Sequence, residues 1–159
     1  MKWVTREKAR VDRIACPWLV KRFVDKDAQF LFVPAAQVLD TARMEGAISF
    51  DSPGAELNHF KEEGEERVSF DAILKRYNLH DKALLELARI VRGADARIRM
   101  SPPESAGLEA AAIGFRAMAK DDVENQRLQF PLYDALFRYC QLKVEGQAKL
   151  EHSAPAAEG

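Results

Sequence analysis

The chain lacks most of the signatures that announce common enzyme chemistries. No G-x-G-x-x-G, P-loop, G-x-S-x-G or H-E-x-x-H pattern occurs in it, so those cofactor and catalytic classes have no local support. Cysteine is scarce, with 2 in 159 residues, Cys16 and Cys140, and no C-x-x-C spacing. A single bridge between them stays open, but the pattern is that of an intracellular protein with reduced thiols. No apolar run approaches membrane-spanning length, and the N-terminus M-K-W-V-T-R-E-K-A-R-V-D lacks the apolar core of a secretory signal. The expectation is a cytoplasmic protein with no membrane attachment. Nor is there an excess of either charge, since 24 Lys plus Arg face 25 Asp plus Glu. Basic residues interleaved with aromatics do not cluster, so nucleic-acid binding by this segment alone is not expected.

What is present is organised around residues 11–25, V-D-R-I-A-C-P-W-L-V-K-R-F-V-D. Ile14, Leu19, Val20 and Phe23 fall on one helical face, which predicts a helix that buries this stripe and turns Lys21, Arg22 and Asp25 outward. Asp12 and Arg13 then lie near its start, where helix amides favour bound anions. Pro17 should kink or restart it, because proline cannot donate to the helical ladder.

Strand signals flank this helix: Trp3 to Thr5, the continuous apolar run Phe30-Leu31-Phe32-Val33, and Ala47-Ile48-Ser49-Phe50. Between the last two, residues 35–44 have helical spacing and Gly46 closes them. Alternating strands and helices with short links predict an α/β fold, a small, mostly parallel sheet of about three strands in the N-terminal half. Binding sites in such sheets lie beyond the carboxyl ends of the strands. Three loops should therefore share an edge: residues 6–12, the stretch after Val33, and residues 51–61.

From Ser69 the pattern turns helical, completing a single domain over residues 3–145. Ser69 is the expected N-cap of a helix to Tyr77, and Asp81 caps a longer one that ends at Arg92-Gly93-Ala94-Asp95, with Gly93 a candidate left-handed cap. Residues 104–119 form an alanine-rich helix, and residues 121–145 a last one that Pro131 should interrupt. Residues 146–159, small and polar, read as a disordered tail.

Within this frame a few residues carry the polar chemistry. Glu56 and His59 form an E-x-x-H pair, which on a helix shares one face, as in carboxylate-bridged iron and manganese sites. Only one such pair exists, so a mononuclear site completed by Asp12, Asp51 or Asp95 is the more economical arrangement. Its mixed nitrogen and oxygen donors suit iron, manganese or zinc in a divalent or trivalent state. The plainer alternative is a solvated histidine in a charged stretch. Arg13 and Arg92 are candidates to grip an oxyanion, or they are an ordinary surface ion pair and a helix-end arginine. Cys16 reads as a buried small residue, or as a thiolate if Arg13 sits beside it. Trp18 reads as core, and Asp134 as an outward acid or a supporting partner of the site.

The blocks D-R-I-A-C-P-W-L-V-K-R-F-V-D, F-D-S-P-G-A-E-L-N-H, S-F-D-A-I-L-K-R-Y-N-L, I-V-R-G-A-D and L-Y-D-A-L-F-R-Y-C together resemble the chromate-resistance family, in its ChrB-type C-terminal domain. The likeness runs in order from about Trp3 to Cys140. It implies a stress-response role in sensing or handling chromate or its reduction products. By position it also points to Asp12, Arg13, Trp18, Asp51, Glu56, His59, Arg92, Gly93 and Asp95. Two departures stand out: Val68 replaces a cysteine common in relatives, and Cys16-Pro17 replaces Ser-Ala. The expected partners are thus a metal ion, chromate or a similar small anion, and a second copy as a possible homodimer. Two rivals stay open: a metal-dependent hydrolase, lyase or redox enzyme acting on a small metabolite, and a partner-binding domain without a site.

Overall fold

A computed structural model of the chain describes residues 1–96 and 101–152, with side chains described as far as residue 147. A parallel three-stranded sheet is built from β1 (Lys2–Arg6), β2 (Gln29–Val33) and β3 (Ile48–Ser49). The order is β2-β1-β3, with Trp3 opposite both Phe30 and Ile48. β1 is therefore the middle strand. The chain moves to one side of it for β2 and to the other for β3, and such a reversal opens a crevice at the carboxyl ends of β1 and β3.

Helix α1 (Asp12–Phe23) connects β1 to β2, and it runs unbroken through Pro17. Pro17 leaves the Arg13 carbonyl without its helical amide, and burial of the flanking Cys16, Trp18, Leu19 and Val20 carries the helix through it. A 3-10 turn (Ala35–Gln37) and α2 (Val38–Glu45) lead to β3, and Gly46 closes α2 in the left-handed conformation at φ 62°. An antiparallel hairpin of β4 (Phe60–Glu62) and β5 (Glu65–Arg67) follows. Its strands are dense in charge, and this hid them from a reading based on apolar alternation.

The remainder is helical: α3 (Ser69–Arg76), α4 (Lys82–Ala96), α5 (Pro103–Met118) and α6 (Asp122–His152). An α/β fold with a helical second half is thus what the chain adopts. Three details differ from the sequence expectation. The N-cap of α3 is Val68, whose amide donates to the Asp71 carboxylate at 2.9 Å, and Ser69 is the first helical residue. Gly93 is no cap. It lies buried inside α4, where an added Cβ would come within 2.4 Å of the Ser105 hydroxyl and 2.6 Å of Ser101, so it permits α4 and α5 to touch. Pro131 leaves α6 continuous, and the helix runs to His152, into the stretch that composition reads as a tail. Residues 153–159 of that stretch lie outside the described residues.

Trp3, Trp18, Tyr133, Phe50 and Phe70 fill the core with no exposed surface to speak of. Trp18 stacks near Tyr133 and Phe137 of α6, at 6.2 and 5.8 Å between ring centres. The α1–α6 contact therefore fixes the helix that carries Asp12. Among the described residues no helix is long and apolar enough to cross a membrane.

Candidate metal centre and arginine pocket

The crevice beyond β1 and β3 collects residues from two helices and the loop between β3 and β4. Asp12 is the first residue of α1, Asp51 follows β3, His59 precedes β4 and Asp95 lies in the last turn of α4. One donor atom from each lies within 4.8 Å of the others. The His59 Nε2 is 3.1 Å from Asp51 Oδ1, 3.1 Å from Asp95 Oδ2 and 3.7 Å from Asp12 Oδ2.

Local backbone chemistry explains the gathering. Asp51 adopts φ 46°, a left-handed conformation that aspartate tolerates better than most residues. Its carbonyl accepts from Arg6 Nε at 3.2 Å, while Thr5 Oγ1 donates to the Phe50 carbonyl at 2.6 Å. The excursion after Asp51 then folds back. Leu57 N donates to Ser49 O at 3.0 Å, Asp51 N donates to Leu57 O at 2.9 Å, and Asn58 Nδ2 ties to Ser52 O. His59 is returned to within reach of the residue that began the loop.

Asp12 is buried, and its carboxylate accepts the first amides of α3, Ser69 N at 2.8 Å and Phe70 N at 3.2 Å. The positive end of that helix partly offsets the charge. Burial nonetheless pushes the Asp12 carboxyl well above its usual range, aided by repulsion from Asp51 and Asp95. Burial also acts to raise Asp51. There the hydrogen bond from His59, the Arg13 charge and the Ser69 hydroxyl outweigh it and hold the group below its usual value. His59 is pushed up to about 10 by its bonds to Asp51 and then Asp95, against the opposing effect of burial.

Three acids converging on one imidazole form a donor set of one nitrogen and at least three oxygens, which fits a hard or borderline cation such as manganese, iron or zinc. Without a cation the cluster carries more negative charge than the imidazolium can balance.

Of the other candidate residues, the structure brings Arg13 and Cys16 to the cluster and leaves the rest outside. Arg13 Nη1 lies 3.6 Å from Asp51 Oδ2, and its Nη2 donates to Lys8 O at 3.0 Å. Glu56 does not share a helical face with His59, because residues 55–59 are not helical; its carboxylate pairs with Arg76 at 2.7 Å. Arg92 is held by Asp71 through two bonds of 3.0 and 3.1 Å, so its guanidinium is already matched. Cys16 donates to Asp12 Oδ1 at 3.3 Å, and burial pushes its thiol up, followed by the Asp12 charge, so it is a buried thiol. Trp18 is core, and its indole N–H donates to Asp134 at 2.8 Å. Asp134 also binds Arg22 through two bonds, which joins α6 to α1 away from the crevice.

Beside the cluster lies a cavity of about 370 Å³ lined by Arg6, Arg10, Arg13 and Arg116 together with Asp12, Asp51 and Asp95; its only apolar lining comes from Val11 and Ala94. Arg6, Arg10 and Arg116 escaped the sequence reading. The first two occupy a loop that the strand order had placed at the site, so their position was the available signal. Arg116, on the last turn of α5, offered none. That loop is pinned from outside: Lys8 N and Ala9 N donate to Asp122 at 2.8 and 2.7 Å, and Asn125 donates to Ala9 O at 2.9 Å.

The fold and crevice define a small α/β domain with a carboxylate–histidine cluster set against an arginine-lined pocket. The chain belongs to the family described as ChrB, C-terminal domain, whose model matches residues 3–140. A curated relative, Protein ChrB of Cupriavidus metallidurans, is 33% identical over 123 residues, which cover 76% of this chain and 35% of the relative. The chain thus spans about a third of that relative's length. No solved structure matches it.

Proposed function

We propose that this domain binds one transition-metal ion through Asp12, Asp51, His59 and Asp95, and that it acts in chromate resistance, sensing or detoxifying the oxyanion or its reduction products. The single observation that carries the reading is the convergence within 4.8 Å of four donors from two helices and the loop between β3 and β4. Family membership supplies the chromate connection. The oxyanion would sit beside the ion against Arg13, whose guanidinium already faces Asp51. Fixed positive charge plus a bound cation holds an anion without any proton transfer.

Elemental analysis of protein purified without chelators, followed by titration calorimetry with manganese, iron and zinc, tests the metal reading. One ion per chain is expected, with binding lost in His59→Ala and Asp51→Asn. Protein that contains no metal, and variants that match wild type in every titration, would sink it.

A metal-dependent enzyme acting on a small metabolite is the second reading, and the pocket's position favours it, since Asp12, Asp51 and Asp95 line a cavity open to ligand. The ion would then supply Lewis acidity, and Asp95, 20% exposed, would be the acid of the cluster best placed to accept a proton. Turnover abolished by chelation distinguishes an enzyme from a sensor.

A further inference from the structure

The arginine side of the crevice is more than counter-charge for the aspartates. Of the four guanidinium groups, Arg13 approaches an Asp51 carboxylate oxygen and Arg6 bonds the Asp51 carbonyl. Arg10 Nη2 lies 3.9 Å from Glu109 Oε1. Arg116 is exposed and lines the cavity from α5. The Nε atoms of both Arg10 and Arg13 are buried without a hydrogen-bond partner. Leaving buried N–H groups of charged side chains unmatched is costly, which marks them as waiting for an acceptor. Four arginines and three aspartates line the cavity, so a divalent ion on the acids would leave the walls strongly positive.

Guanidinium groups match tetrahedral oxyanions in geometry as well as charge, because each presents a planar fork of donors. The dimensions then separate a bare ion from a larger ligand. At about 370 Å³, the cavity falls in the range of roughly 300–1,000 Å³ typical of small-molecule sites, far more than one tetrahedral ion fills. The lining is polar almost throughout, so the rest of the ligand is hydrophilic.

We infer that the cavity is a binding site for the phosphate monoester of a small hydrophilic molecule, one phosphate oxygen on the metal ion and the others on Arg10, Arg13 and Arg116. The inference rests on the metal reading above and adds to it the class of ligand. Arg6 and Arg13 touch Asp51, so their substitution disturbs both halves of the site. Arg10 and Arg116 touch no donor of the metal cluster and give the clean test.

The experiment is calorimetry on manganese-loaded chain with glycerol phosphate, inorganic phosphate and sulfate as probes, repeated on Arg10→Gln and Arg116→Gln. Glycerol phosphate is expected to bind at least tenfold more tightly than either inorganic ion. Each arginine variant should lose at least tenfold in that affinity while its manganese affinity and melting temperature stay at wild-type values. Inorganic ions binding as tightly as the ester would overturn the ligand class. Ester binding unchanged in both variants would overturn the site. Manganese uptake with no anion binding would overturn this inference and leave the metal reading standing, whereas no manganese uptake would overturn the reading beneath it.

Discussion

Asp71 and the crevice both set aspartate against arginine near helix ends, and they resolve the charge differently. At Asp71 the account closes: the carboxylate accepts the Val68 amide at 2.9 Å and two guanidinium bonds from Arg92, one acid for one base. At the crevice, Asp12, Asp51 and Asp95 share one imidazole, and two of the neighbouring arginines keep buried nitrogens unpaired. The first arrangement is what structural ion pairs look like. The second holds opposed surpluses of charge side by side, which folding does not require and ligand binding does. Arg92 and Asp95, three positions apart on α4, fall one on each side of this divide.

The contrast can be broken most sharply at Asp71. Asp71→Ala removes the cap of α3 and strands a part-buried guanidinium, so we expect a loss of about 3 kcal/mol in denaturant unfolding, with metal affinity unchanged. A loss of metal binding equal to that of the crevice variants would erase the distinction between the two places.

Asp95→Asn should behave in the opposite way. It relieves repulsion toward Asp12 and Asp51 but weakens the bond to His59, so the stability of the metal-free protein should change by no more than about 1 kcal/mol. Metal affinity should fall by roughly 10- to 100-fold, read by calorimetry. Destabilisation of the metal-free form by 2 kcal/mol or so would show the cluster to be structural.

The third expectation concerns pH. His59 has its folded pKa raised from 6.5 to about 10, so its contribution to stability is complete below about pH 6.5 and is lost as pH climbs through about 10. Asp12 works in the same direction, because burial favours its neutral form and ionisation costs stability as pH rises above its ordinary 3.8. A metal ion must displace the His59 proton, so its affinity should increase with pH, and loading near neutrality should release a proton. Melting temperatures at pH 6 and 9, with and without metal, check both signs. The metal-free value should fall and the metal-induced rise should grow. His59→Asn should flatten both, and a wild type already flat would contradict the proposed linkage.

The smallest effect is expected at Glu56→Gln. Its partner Arg76 is exposed, and such surface pairs contribute about 0–1 kcal/mol. Metal affinity should match wild type, and a tenfold drop would return Glu56 to the cluster.

Much of this was legible in the linear pattern. Apolar runs at Trp3, Phe30 and Ile48 marked the three strands, and their alternation with helices named the crevice edge. Asp12, Asp51, His59 and Asp95 stand out as residue types in that pattern. The E-x-x-H reading placed Glu56 beside His59 because it assumed a helix. The loop instead returns along β3 through the Leu57–Ser49 bond, which no local spacing encodes. The pairing of Arg92 with Asp71 is equally invisible to local spacing, because Asp71 lies 21 positions away on another helix.

By itself, then, the sequence determined the elements and the chemical types available at their ends, because periodicity and capping act within a few residues. Which acid met the imidazole, which arginine was already spent on Asp71, and that Arg116 lines one cavity with Arg6 and Arg10 were settled only by packing. Those outcomes depend on contacts between residues far apart in the chain, where burial and charge balance, rather than spacing, select the partners.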